Sequence, residues 1–157
     1  MTLQLVPIAI DTDPARFAAE LAPAFGGGEG PAREILTQTV TLLTRDPRPA
    51  PWVSYLARLG GQAIGICAFK SAPTPAGEVE LAYMTFPAFE GRGHATAMAG
   101  ALVRIAEEAG AAMVVALTLP YENASNRALG RNGFILAGEE EDPEDGLVWR
   151  WEKPVAR

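Results

Sequence analysis

The sequence predicts an α/β fold, an α+β mixed sheet with helices covering its faces. Three observations carry that prediction. Strand-like and helix-like runs alternate in the order β-α-α-β-β-β-α-β-α-β-β. Residues 52–86 hold three consecutive strand-like runs, the first two joined by Gly60-Gly61, which signals antiparallel pairing through a tight turn. Residues 78–119 then read strand, helix, strand, and the last of these is almost wholly apolar, as expected for a strand buried on both faces. At 157 residues with 48% hydrophobic and 20% charged side chains, residues 1–157 form one globular domain.

The elements follow in order. Thr2–Ile8 alternates and reads as a first strand. Asp13-Pro14 opens a helix, with Asp as N-cap and Pro at the first helical position; Phe17 and Leu21 share its apolar face. Residues 26–31 (GGGEGP) read as a mobile connector. Ile35, Leu36, Val40 and Leu43 fit a 3.6-residue period and predict a helix over 32–43, which the proline-rich run 46–51 breaks. Strands are expected at 52–58, 63–70 and 78–86, the last closed by Pro87. A helix runs from His94 to about Ala109, a strand over 112–119, and a short helix over 124–132 with Gly133 as its C-terminal cap. Residues 134–137 and 147–151 read as two last strands around an acidic loop.

Charge and cysteine content exclude several functions. The net charge is −6, and six of the 19 acids fall between Glu139 and Asp145; the remaining chain balances at 13 acids and 13 bases. No basic patch points to nucleic acid or a membrane surface. One cysteine, Cys67, excludes an internal disulfide, and with one histidine, His94, it cannot build a zinc site; no metal is expected. The longest uncharged run, Ala109–Tyr121, holds 13 residues, short of the roughly 20 that span a bilayer. The first basic residue is Arg16, so no signal-peptide start is visible, and a cytoplasmic location is expected.

The most informative local pattern is strand, then Glu90-Gly91-Arg92-Gly93-His94-Ala95-Thr96, then helix. Two glycines let backbone pass close to a ligand, and the helix start behind them offers unpaired N–H groups and the positive end of its dipole. Together these suit a phosphate or pyrophosphate; a turn that merely permits tight packing is the other reading. The Gly-Lys of a P-loop is absent, and the sixth position of a dinucleotide fingerprint is Thr96.

The run Phe86–Thr96 resembles the acetyl-CoA loop of GNAT N-acetyltransferases, [RQ]-x-x-G-x-[GA]. Thr118–Arg127, ending in Asn132-Gly133-Phe134, resembles the second signature of the branch that acetylates ribosomal-protein N-termini, the RimJ/RimL-like branch. Glu78–Tyr83 is similar to that branch's fourth strand. Two departures stand out. Glu90 occupies the usual Arg or Gln position and should turn away from a pyrophosphate, and Leu129 occupies the position of a frequent tyrosine general acid.

The resemblance implies a GNAT-like fold: a mostly antiparallel sheet of about seven strands with one splayed parallel pair, flanked by about four helices. It implies acetyl transfer from acetyl-CoA to a primary amine of a small molecule or a protein N-terminus. The implied cofactor contacts are Thr85, Phe86, Gly91, Arg92, Gly93, His94, Ala95, Thr96, Asn123 and Ser125. Thr85 and Phe86 would offer main-chain groups to the pantetheine arm, and one N–H there would steady the oxyanion. Glu80 is the implied general base, against a plain exposed carboxylate balancing Glu78. Ser125 is the implied proton donor to the leaving thiolate, against a helix cap, a role that Asn123 also fits, or a cofactor contact; Tyr83 and Tyr121 are weaker candidates. Cys67 reads as inert core, and Trp149 and Trp151 as facing the core, with lining of the acceptor pocket as the other reading. The acidic run reads as a solvated hairpin tip; on the family's topology it would instead lie on the acceptor side and attract cationic amines. A non-catalytic acyl-CoA sensor of the same fold is the alternative, and a homodimer is left open.

Overall fold

The computed structural model describes residues 2–155. The strands are β1 (Leu3–Pro7), β2 (Ser54–Leu59), β3 (Gln62–Phe69), β4 (Glu78–Thr85), β5 (Met113–Thr118), β6 (Ile135–Asp142) and β7 (Gly146–Pro154). The helices are α1 (Pro14–Leu21), α2 (Glu29–Arg45), α3 (His94–Glu108) and α4 (Ala124–Arg131). All seven strands form one sheet in the order β1-β2-β3-β4-β5-β7-β6. Only β4 and β5 pair in parallel; every other neighbouring pair is antiparallel. The predicted fold class and its GNAT form are both present.

Alternation along the strands separates two cores. Tyr55, Ala57, Cys67 and Phe69 pack with Met98 and Leu102 of α3 and Leu129 of α4. Leu56, Ile66 and Phe86 face the other way and pack with Leu21 of α1 and Ala32 and Leu36 of α2. Each buried leucine of this kind contributes roughly 1.5–3 kcal/mol.

Three expectations change. Residues 29–31 are not a connector: α2 starts at Glu29, with Gly28 as its N-cap. Gly30 and Pro31 are tolerated there because the first turn leaves its N–H groups unpaired anyway. The acidic run is not all loop, because β6 extends to Asp142 and pairs Glu139, Glu140 and Glu141 with Trp149, Val148 and Leu147. As the sheet's last strand, β6 tolerates carboxylates that a central strand would not. The cap of α4 is Asn123, whose side chain accepts from the Asn126 N–H at 2.9 Å, not Ser125.

Cys67 is inert core, as expected: it is buried, and burial pushes its thiol up to about 12. Two results follow. The native thiol resists alkylation until the chain unfolds. Because the native thiol ionises above its unfolded value of 9.0, stability holds below about pH 9 and falls as pH rises toward about 12. A Cys67→Ala variant flattens that decline near pH 9–10 in pH-resolved chemical denaturation; an unchanged slope contradicts the assignment.

Candidate functional site

The site begins where the parallel pair ends. β4 and β5 stay in register only over Glu78–Glu80 and Met113–Val115. Beyond that, β4 keeps its pairing to β3 while Ala116, Leu117 and Thr118 of β5 stay on β7, so the two strands part. Which β4 groups face the gap follows from register. The Lys70 N–H donates to the Glu80 carbonyl and the Phe86 N–H to the Ile64 carbonyl, so even-numbered residues of β4 bond β3. The backbone groups of Leu81, Tyr83 and Thr85 therefore face the splay.

A cleft of about 590 Å³ opens from this gap. Its lining includes Tyr83, Met84, Thr85, the 90–96 turn without Arg92, and the α4 face of Ala124, Ser125, Arg127 and Arg131. Gly93 starts α3 in the left-handed region, at φ 81°, and no side chain caps the helix, unlike α1 and α4. The first N–H groups of α3 thus meet the cleft unclaimed by any side chain, and Arg127, paired with Glu122 at 3.3 Å, and Arg131 line the same cleft. That donor set fits a pyrophosphate and a further phosphate.

Among the expected cofactor residues, Thr85, Gly91, Gly93, His94, Ala95, Thr96 and Ser125 line this cleft. Phe86, Arg92 and Asn123 do not. Phe86 is fully buried against Phe25, at 4.9 Å between ring centroids, and its N–H is spent on Ile64. The Arg92 guanidinium lies over the Phe89 ring, and the Asn123 side chain is engaged in capping. Glu90, expected to turn away, lines the cleft instead. Arg127 and Arg131 line the cleft and are not among the expected residues; their i, i+4 spacing on one face of α4 is the sequence signal that points to them.

A second cleft, of about 600 Å³, lies on the α2 side of the sheet. Ile66, Ala68, Ala82 and Met84 form its floor, Thr39 and Leu42 of α2 one wall, and Asp142, Pro143 and Glu144 the other. The two clefts share Tyr83 and Met84.

Of the candidate acid–base groups, Ser125 lines the first cleft, Tyr83 lines both and Glu80 lines neither. Glu80 alternates with Ala82 and Met84 and so lies on the α2 side of the sheet, outside the lining of the second cleft, where its carboxylate meets Lys70 Nζ at 2.9 Å. Burial draws the Lys70 ammonium down, but the Glu80 hydrogen bond and the charges of Glu80, Asp142 and Asp145 outweigh it and hold it above its ordinary value. Ser125 stands at the cofactor cleft, and its carbonyl accepts the Tyr83 hydroxyl at 2.9 Å, tying α4 to β4. Burial pushes the Tyr83 phenol up to about 12, against the pull of that hydrogen bond. Leu129 is fully buried, so the usual tyrosine position serves packing here. His94 is half-buried with its ring near Phe89, Tyr121 is exposed outside both clefts, and Trp151 packs on the α3 side. Buried Asn126 fixes the β5–α4 connection: Trp151 Nε1 and the Thr118 hydroxyl donate to its carbonyl oxygen, and its amide donates to the Leu119 and Tyr121 carbonyls.

A split parallel strand pair facing an uncapped helix start defines a coenzyme A-dependent acyltransferase. The sequence matches the acetyltransferase (GNAT) domain family over residues 5–135, and the chain belongs to that family. No curated protein matches the sequence. Among solved structures, the ribosomal L7/L12 α-N-protein acetyltransferase RimL in complex with coenzyme A is 19% identical, with TM-score 0.71 and coverage of 99% of this chain and 95% of that one. The microcin C7 self-immunity acetyltransferase MccE, in complex with acetyl-CoA and AMP, is 15% identical, with TM-score 0.73 and coverage of 98% and 92%. The aminoglycoside acetyltransferase AAC(6′)-Ib with coenzyme A is 18% identical, with TM-score 0.72 and coverage of 98% and 95%. At these identities the likeness is one of fold. No helix among the described residues is long and apolar enough to cross a membrane.

Proposed function

We propose that the chain, as one acetyltransferase domain, transfers the acetyl group of acetyl-CoA directly to a primary amine. The observation that carries this reading is the meeting of two clefts on one strand: a thioester and an amine would reach Tyr83 and Met84 from opposite sides. Gly91, Gly93 and the first turn of α3 hold the pyrophosphate, and Arg127 and Arg131 take the remaining phosphate. The outward-facing backbone groups of Tyr83 and Thr85 pair with the pantetheine amides, and one N–H there steadies the carbonyl oxygen as it gains charge, a contribution of about 3–4 kcal/mol.

The amine nitrogen attacks the thioester carbonyl carbon, and the C–S bond breaks. Glu80 accepts the amine's proton, with Lys70 holding its carboxylate on the acceptor face. The Ser125 hydroxyl donates a proton to the departing sulfur and is reprotonated from water as Glu80 releases its proton to solvent. The test measures acetyl-CoA binding by titration and then amine-dependent release of the coenzyme A thiol, which buried Cys67 does not obscure. Binding with amine-dependent release supports the reading. Binding with no release across monoamines, polyamines, amino acids and peptides favours a non-catalytic acyl-CoA sensor instead.

A further inference from the structure

We propose that the acceptor is a small primary amine on an apolar body that carries no carboxylate; this rests on the reading that the α2-side cleft receives the acceptor. The floor is apolar and stepped. Ile66 pairs with Met84 and Ala68 with Ala82, so two methyl groups face each other beside two large side chains and leave a hollow. Leu42 on the α2 wall is 61% exposed and Met84 is 38% exposed. An apolar group laid on this floor would remove both from water, which is the favourable term a polar acceptor could not supply.

The charges decide the polar end. Both cations of the lining are engaged. Arg48 pairs with Asp46 at 2.9 Å and donates to the Trp52 and Phe69 carbonyls, and Lys70 is held by Glu80. Among the described residues, Asp142 and Glu144 on the opposite wall form no ion pair, although one Asp142 oxygen accepts the N–H groups of Glu144 and Asp145. The wall therefore attracts an ammonium and repels a carboxylate. A carboxylate would compete with Glu80 for Lys70 and meet the charges of Asp142 and Glu144.

The test compares kcat/KM for four acceptors with the full chain and acetyl-CoA: 2-phenylethylamine, phenylalanine, ethanolamine and spermidine. Phenylalanine adds only the carboxylate, ethanolamine lacks the apolar body, and spermidine supplies charge without one. The expected result is a preference for 2-phenylethylamine of about tenfold or more over each. Equal or faster turnover of any of the other three overturns the inference while leaving amine acetylation standing. Exposed Leu42 supplies a variant that folds: Leu42→Gln raises KM for 2-phenylethylamine about tenfold with acetyl-CoA affinity unchanged, and an unchanged KM overturns the inference. Acetyl-CoA binding with no turnover of any amine overturns the enzymatic reading, and this inference with it.

Discussion

A Gly93→Val variant is expected to lose acetyl-CoA affinity by a factor of about 10²–10⁴. Gly93 holds φ 81° at the start of α3, a conformation that a β-branched residue adopts only under strain of about 1–3 kcal/mol. The chain relieves that strain by rotating the peptide, and rotation turns the helix-start N–H groups away from the cleft. Nothing lies within 4 Å of where a Cβ would sit, so the substitution meets no neighbour in the fold itself and intrudes on the space a phosphate needs. Hydrogen bonds to a charged acceptor are worth about 1.5–3 kcal/mol each, and losing two accounts for the range. Titration measures the loss, and a thermal melt confirms that the variant is folded. Affinity equal to the parent's would remove the 91–96 turn from the cofactor site.

Glu80→Gln is expected to lower kcat by about 10²–10⁴ and leave acetyl-CoA affinity intact. The amide keeps the shape and loses the ability to take a proton. Glu80 lies outside the cofactor cleft lining, so binding of the first substrate is insulated from the change. The lost ion pair with Lys70 joins side chains 29% and 52% exposed, so it contributes under about 1 kcal/mol and the fold tolerates its loss. A kcat within about threefold of the parent, far below the usual effect of removing a base, would clear Glu80 and assign the proton to water.

Features set by local chemistry were legible in the sequence. Asp13 caps α1 and the Gly91–Gly93 turn opens α3, because caps and left-handed glycines act over a few residues. The mixed character of the sheet followed from three successive strand-like runs and then a helix between two strands. What escaped depends on neighbours distant in the chain. Whether Thr85 or Phe86 faces the splay is a matter of parity, fixed only by Ile64 on β3 taking the Phe86 N–H. The length of β6 was hidden because Glu139–Asp142 carries no strand pattern, yet an edge strand paired to β7 needs none. The acids that reach the α2-side cleft are Asp142 and Glu144 at the hairpin end, not Glu139–Glu141, because only that end of the hairpin reaches the cleft wall. The partnership of Lys70 with Glu80 joins a residue just past β3 to one on β4, ten positions along the chain.

Direct transfer is tested most closely by supplying acetyl-CoA with an isotopically labelled acetyl group, together with 2-phenylethylamine and the other amines. Product and protein are then weighed by mass spectrometry within the first turnovers. The account predicts label on the amine nitrogen, free coenzyme A in equal amount, and an unmodified chain, with Cys67 untouched in the core. Label accumulating on the protein before it reaches the amine, or acetyl-CoA bound and never consumed, would contradict it.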